Sequence, residues 1–513
     1  MLASLKALIV VLAIAATIFH LAKPLALRFM SQEDFSRRRL VWLVLTAAGF
    51  VSPNFWMYLL VAVPMLVWAN RHDSNPIALY LLMLHVMPPV GIIIPILGNN
   101  GLFPLDNYRV LALCVLLPAT IRQRKNPQHA TAGTFGAMDI LLLAFGVLQV
   151  ALYTPPDLAH HFVIPDSVSN ALRRAILFLL DTYLLYFAIS RLCRSRQQLV
   201  EAAASFCLAC AVMAALAMFE QLRVWLLYVD LVRNWSGDPY AGFYLTRNGV
   251  LRAQASAGHS ISLGFLLAVA SGLWLYLRSH VSSRIQQIGV TLLLWGGLFA
   301  TDSRGSWLGT AAIYFAFKAA GPRAMSRLAK GFGVALAVAG LIAVSPIGDR
   351  ILDMLPKSGQ PADLYRHRLA DRGWELVFAH PFFGDQFPWP KMEDLRQGEG
   401  IIDIVNTYLG VALNYGLIGL FLFLVFILVA MTRAYAGART LVNSDADLAM
   451  LGASLTACIA GTLIMINSDS FIMGPQKAFY ILAALTAAYS QLTKSPRGRL
   501  AVPGSGNVQP ERR

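Results

Sequence analysis

Charge is what this sequence has least of. Only 13% of its 513 residues are Asp, Glu, Lys or Arg, about half the share found in soluble globular chains. Acids are the scarcer kind, 27 against 42 basic residues. With 57% hydrophobic residues and a mean hydropathy of +0.58, the chain is not an ordinary soluble domain and reads as a polytopic membrane protein. A formal net charge of +15 would suggest nucleic acid in a soluble chain. Here the basic residues fall in short clusters between apolar runs: Arg37 to Arg39, Arg122 to Lys125, Arg191 to Arg196, Arg278 to Arg284, Lys318 to Lys330, Arg433 to Arg439 and Lys494 to Arg499. That is the positive-inside pattern of cytoplasmic loops, and no nucleic-acid partner follows from it.

Cysteine is nearly as scarce, with five in all. Four of them lie inside apolar runs, so neither a disulfide framework nor a zinc site is indicated. Cys207 and Cys210 share a helical face, but they lack the electropositive, partly exposed setting that makes a thiol reactive. Walker, Rossmann and H-E-x-x-H motifs are missing, and no solenoid period is found. Energy from ATP is not indicated, and no cofactor or metal is expected.

What the chain does have is apolar runs of membrane-spanning length. They lie near Leu5 to Leu27, Leu40 to Val51, Phe55 to Ala69, Ile77 to Leu97, Val110 to Ile121, Met138 to Tyr153, Ala171 to Ile189 and Leu199 to Leu222. Others run near Ser260 to Leu277, Ile285 to Ala300, Trp307 to Ala319, Gly331 to Val344, Gly416 to Met431, Leu448 to Ile466 and Phe479 to Leu492. The expected fold is an all-α polytopic bundle of about 12 to 15 helices. It fills residues 1–494 and is interrupted by a large outward loop at 349–403, with a disordered cytoplasmic tail over 495–513. Leu5 to Leu27 reads as an uncleaved first helix, because Lys23-Pro24 offers no small-residue cleavage pattern.

Within this apolar frame, Thr301 to Gly309 (TDSRGSWLG) sets Arg304 between two spans. A charge at such depth costs roughly 2.5 to 3.5 kcal/mol at a helix centre and is usually kept for an anion, a proton path or a partner carboxylate. Snorkelling to the interface is the simpler alternative. The loop at 349–403 is longer than structureless connections ordinarily run. Tyr365 to Ala379 within it reads as an amphipathic helix on which Arg368, Arg372 and Glu375 project together. Arginine's planar fork matches phosphate oxygens, so an outward site of Arg304, Arg372 and Arg252 suits a lipid-linked phosphate or pyrophosphate. The competing reading is arginine pairing with acids inside the loop. Asp181, inside an apolar run, is expected to pair with Arg173, Arg174 or a neighbouring helix.

Three blocks in the C-terminal half resemble the O-antigen ligase and O-antigen polymerase superfamily of bacterial membrane glycosyltransferases. They are Arg252 to Gly264 (RAQASAGHSISLG), Ser303-Arg304-Gly305, and a pair of signatures in and after the large loop. Of that pair, one is Arg372-Gly373-Trp374-Glu375-Leu376, followed by His380-Pro381-Phe382-Phe383-Gly384. The other is Asn406 with Gly416 and Gly419 in the x9-G-x-x-G pattern. Ligases carry a histidine before that Asn, where this chain has Val405, and the departure favours the polymerase or a related exopolysaccharide branch.

The resemblance implies a C-type glycosyltransferase architecture in the bacterial inner membrane, with the active site facing the periplasm. It implies transfer of glycan from an undecaprenyl-pyrophosphate-linked donor to a glycan or lipid acceptor, without nucleotide sugar or metal, with a chain-length regulator as a further partner. Leaving pyrophosphate needs cationic stabilisation, which gives Arg304 and Arg372 catalytic roles. A base within hydrogen-bond reach assists the attacking hydroxyl, and Asp403 is the first candidate, ahead of Glu399, His380 and His259. Asp403 has an alternative role as a helix cap. Arg252, His259, Ser303, Arg368, His380 and Asn406 are expected to bind substrate. A ligase acting on lipid A core or protein, and a flippase for lipid-linked sugars, are the competing functions.

Overall fold

The computed structural model describes residues 2–96, 99–124, 135–152, 167–237, 242, 244–247, 249–320, 361–386, 388–396, 402–471 and 473–494. The expected span at Gly331 to Val344, the start of the large loop, Glu399 and the tail lie outside them. The fold is an all-α polytopic helical bundle. Six helices among the described residues are long and apolar enough to cross a membrane: Ala3–Ala26, Ala171–Leu192, Arg196–Arg223, Ser260–His280, Thr407–Leu441 and Ala446–Ser468. Shorter apolar helices such as Phe55–His72, Arg284–Ala300 and Arg304–Ala320 fill in between.

The Ser260–Leu277 helix is the axis of the molecule. Almost every one of its side chains is buried, because helices 196–223, 284–300, 304–320, 446–465 and 473–494 surround it. In an apolar solvent, helices associate through close backbone approach at small residues and through polar contacts, and small residues mark these seams. Gly272 lies against Ile313 and Cys458, Gly297 against Ala214, and Gly309 against Met465 and Gly461. The outer helices instead turn large apolar side chains outward, among them Leu60, Ile285 and Phe421.

Three elements differ from their sequence expectation. The run from Ile77 to Leu97 is one helix only over Pro76–Met83. Pro88 and Pro89 follow it, and the β-branched stretch Gly91–Ile96 pairs antiparallel with Asn99–Asp106 as a hairpin. Proline cannot extend the helix and isoleucine favours the strand. The span placed at Gly416 starts earlier, at Thr407, and kinks at Gly416 where φ is 66° and ψ is −171°. Arg38, in a cluster read as cytoplasmic surface, is wholly buried. It makes a two-pronged pair with Asp73 (2.6 and 2.8 Å) and reaches Glu201 at 2.8 Å, tying three helices together.

Candidate functional site

One carboxylate shapes the segment that carries Arg252. Glu220, buried near the end of the 196–223 helix, accepts the backbone N–H groups of Leu227 (3.0 Å), Gln254 (2.9 Å) and Ala255 (2.8 Å). The Ala253 N–H donates to the Ala300 carbonyl at 2.9 Å, which seats this segment on the 301–303 turn. Arg252 Nε then reaches the Thr301 carbonyl at 3.2 Å, and Arg247 Nη1 the Asp302 carbonyl at 2.7 Å. Asp302 adopts a left-handed φ of 44°, a conformation short polar side chains tolerate. His259 follows Gly258 and caps the 260–277 helix, its Nδ1 accepting the Ile261 N–H at 3.3 Å. A Cβ on Gly264 would press on Ser306 and Thr301, so the first sequence block is packed onto the second.

The second block is in turn packed onto the third. Gly305, beside Arg304, lies against the Ser468 hydroxyl, where a Cβ would not fit. The neighbouring Asn467 Oδ1 accepts from Asn406 Nδ2 at 3.2 Å, and Asn406 caps the 407–441 helix by accepting the Leu409 N–H at 3.1 Å. Asn406, not Asp403, is therefore the cap. Asp403 accepts from the Ser470 hydroxyl at 2.7 Å, while its carbonyl and N–H bond the Tyr365 hydroxyl at 2.9 and 3.1 Å, holding the loop helix over this end of the bundle. Thr407 Oγ1 donates to the Asp469 carbonyl at 2.8 Å. Three blocks far apart in sequence thus meet around Asn467 to Ser470.

Helix N-termini carry partial positive charge and orphan N–H groups, a natural setting for anions. Three begin here, at Ser260, Arg304 and Thr407. Burial, with Arg247, Arg304 and Arg366 nearby, pushes the Arg252 guanidinium down to about 10, and Asp302 only partly offsets them. It remains charged at neutral pH within a cluster rich in cations. Burial and Arg252 also lower His259, against an opposing pull from Asp403. Burial raises the Asp469 carboxyl to about 7, with Asp403 adding and Arg252 opposing. Arg304 Nε and Asp469 Oδ2 are buried without a hydrogen-bond partner among the described residues. Ser303 bonds Ser306, hydroxyl to hydroxyl, at 2.9 Å.

Arg366 on the loop helix is near this centre, but the predicted loop residues make their bonds within the loop. Arg372 is exposed, bonding Glu375 at 2.7 Å and the Lys391 carbonyl at 3.1 Å, and Arg368 bonds the Asp394 carbonyl at 3.2 Å. His380 is exposed and opens a turn. That turn is clamped to the kinked helix: the Leu417 N–H donates to the Pro381 carbonyl and the Asp385 N–H to the Leu413 carbonyl, each at 2.7 Å. Gly384, with φ of 71°, and Gly416 make the approach possible, since a Cβ on either would collide with the other segment's backbone. The two loop signatures are thus one docking joint. Val405 packs with Leu369, Leu376 and Leu409 beneath the loop helix. Sequence reasoning passed over Arg247, Glu220, Asn467 and Asp469, although Asn467 to Ser470 (NSDS) is a conspicuous polar run between two spans.

A family model described as O-antigen ligase matches residues 289–424, from the helix before Arg304 through the kink at Gly416. Over that segment, about a quarter of the chain, the protein is similar to the O-antigen ligase family. No curated protein matches it. The matched segment supplies Arg304, the loop helix and Asn406. Arg252 and Asp469 come from outside the match and are brought to it by the bundle.

Proposed function

We propose that this chain is a polysaccharide polymerase. It transfers glycan from an undecaprenyl-pyrophosphate-linked donor to a glycan acceptor at the periplasmic face of the inner membrane. The observation that carries the reading is Arg304 at a helix N-terminus, its Nε unpartnered among the described residues, in a cluster where Arg252 is already short of counter-charge. Such a cluster suits a pyrophosphate brought in by the ligand. Preorganised cations in a water-poor site stabilise the charge that develops on a leaving group, the task a metal performs elsewhere.

In the reaction the acceptor hydroxyl oxygen attacks the anomeric carbon and the bond from that carbon to the pyrophosphate oxygen breaks. The lipid pyrophosphate leaves against Arg304 and Arg252. The hydroxyl proton passes to the Asp403 and Asp469 pair, in which Asp469 has a free oxygen and a value suited to a base at neutral pH. His259 and Ser303 orient the arginines, Asn406 fixes the rim, and Arg368, Arg372 and His380 meet the glycan from the loop. Val405, an apolar packing residue where ligases have histidine, supports polymerase over ligase.

Arg304→Ala at wild-type expression is expected to abolish polymer and Arg304→Lys to impair it, since a charge-assisted bond is worth about 1.5 to 3 kcal/mol. Normal polymer from Arg304→Ala would sink the assignment. Deletion of the gene should leave single repeat units with long chains lost. Full-length chains retained on the lipid carrier would instead identify a ligase, and units trapped in the cytoplasmic leaflet a flippase.

A further inference from the structure

A second polar cavity, of about 270 Å³, lies between the 91–106 hairpin and the first turns of the Met473–Lys494 helix. Asp106, Arg109, Asp181, Gln476 and Lys477 form its polar lining, and prolines and isoleucines of the hairpin form its apolar wall. Its charges cancel. Arg109 bonds Asp106 at 2.9 Å and Asp181 at 2.7 Å, and Lys477 bonds Asp181 at 2.8 Å, so two cations meet two carboxylates. An anion would find no cation free of a carboxylate, in contrast to the arginine site.

Hydrogen-bonding capacity is left over, however. The Asp106 carboxylate takes two bonds, both from Arg109, of about four it can accept. Lys477 spends two donors on Asp181 and has three. The Gln476 amide, half-buried, makes no hydrogen bond among the described residues, and the buried Tyr108 hydroxyl has no partner there either. Asp181 sits in a π-helical segment, Leu179–Tyr183, and a second one, Ala112–Leu116, follows Arg109. Such segments are frequent at functional sites. Spare donors and acceptors around a neutral, partly apolar hollow suit a ligand of many hydroxyl groups and no charge.

The cavity is tied to the arginine site. Pro89, in its wall, faces Gly258, where a Cβ would lie 3.4 Å from Pro89 Cδ. Gly474, in the turn that carries Gln476 and Lys477, faces Ser262, with a Cβ 3.1 Å from the serine Cβ. Both walls therefore rest on the 252–262 segment that holds Arg252 and His259. We infer that the cavity is a subsite for one neutral sugar unit of the glycan, held beside the pyrophosphate site; the inference rests on the glycan-transfer reading above.

The test uses the full-length protein carrying Ile93→Cys in phosphatidylcholine nanodiscs. Ile93 lines the cavity and is exposed, whereas the five native cysteines are buried. Maleimide labelling is followed with added oligosaccharides, prepared by partial hydrolysis of the host's own polysaccharide, and separately with inorganic pyrophosphate. Oligosaccharide should slow labelling several-fold, pyrophosphate should not, and Gln476→Ala should weaken the protection. Equal protection by pyrophosphate, or none by oligosaccharide, overturns the inference. So does slowing by phosphatidylethanolamine in place of sugar, which would make the cavity a lipid headgroup site. If the Ile93 variant fails to accumulate, Leu105→Cys across the hairpin carries the same measurement. The polymerase reading fails separately, through normal polymer from Arg304→Ala, so the two failures are distinguishable.

Discussion

The protein holds charge in two ways, and the contrast between two of its polar regions separates folding from chemistry. Around Lys477, Asp181, Arg109 and Asp106, each charge has an opposite partner within 2.9 Å. Around Arg252 and Arg304, burial together with the neighbouring guanidiniums pushes Arg252 down to about 10, and Asp302 opposes them only in part. Burying charge costs several kcal/mol per ion unless it is paired. The balanced cluster has settled that cost internally, while the unbalanced one, on the proposed function, leaves part of it to be met by an incoming anion.

The largest effect should come from unbalancing the first cluster. Asp181→Ala strands Arg109 and Lys477 among buried side chains, and breaking such a pair from one side costs about 3 to 5 kcal/mol. The thermal unfolding midpoint of the purified protein should fall sharply. Arg304→Ala should leave the midpoint unchanged or raise it, because it relieves like-charge crowding, while transfer is lost. Comparable destabilisation by both substitutions would erase the distinction.

The docking joint comes next. Gly416 has a backbone conformation essentially restricted to glycine, and Gly384 lies against the Leu413 carbonyl. Gly416→Ala should cost about 1 to 3 kcal/mol in strain alone, with collision against Phe382 in addition. Loosening of the loop should show as faster proteolysis within residues 361–396, whereas Arg304→Ala should leave cleavage unaltered.

A smaller effect follows from Asp469, whose carboxyl burial raises to about 7. A base must be ionised, so the transfer rate should climb as pH rises through about 7. Asp469→Asn should lower the rate and flatten that limb. The stability slope has the opposite sign. Between the ordinary carboxylate range and about 7 the folded state binds more protons than the unfolded, so stability falls as pH rises there. Asp469→Asn should remove that slope. An unchanged acid limb in the variant would return the base role to Asp403 alone.

Much of this was legible because a bilayer writes its demands into composition. Ser260–Leu277 was read to the residue, since His259 and Arg278 bracket an unbroken apolar run. Arg304 and Arg252 stood out because charge is rare in such surroundings. The hairpin was missed because an apolar stretch of spanning length hides whether prolines break it. The polar run at Asn467 to Ser470 is visible in the sequence, but its role and that of Arg247 come from tertiary contact: nothing local tells that Ser468 will lie against Gly305, or that Arg247 will reach the Asp302 carbonyl. Arg38 looked like one more positive-inside residue until Asp73 and Glu201 closed on it.

Arg372 gives the smallest effect and the sharpest test of how far the unbalanced region extends. Its guanidinium is exposed and already engaged by Glu375 and the Lys391 carbonyl, so in electrostatic terms it resembles the balanced cluster, though at the surface rather than buried. Exposed pairs contribute little to folding, and Arg372→Ala should leave the unfolding midpoint where it is. For Arg372 to clamp glycan it must exchange Glu375 for substrate, which discounts its gain, so transfer should fall only about tenfold, a loss of about 1.4 kcal/mol in the barrier. Glu375→Ala, which frees the guanidinium, should then leave transfer unchanged or raise it. Wild-type transfer from Arg372→Ala would confine the site to Arg252, Arg304 and the carboxylates beneath the loop, and the arginine of the R-x3-L signature would be part of the loop's surface.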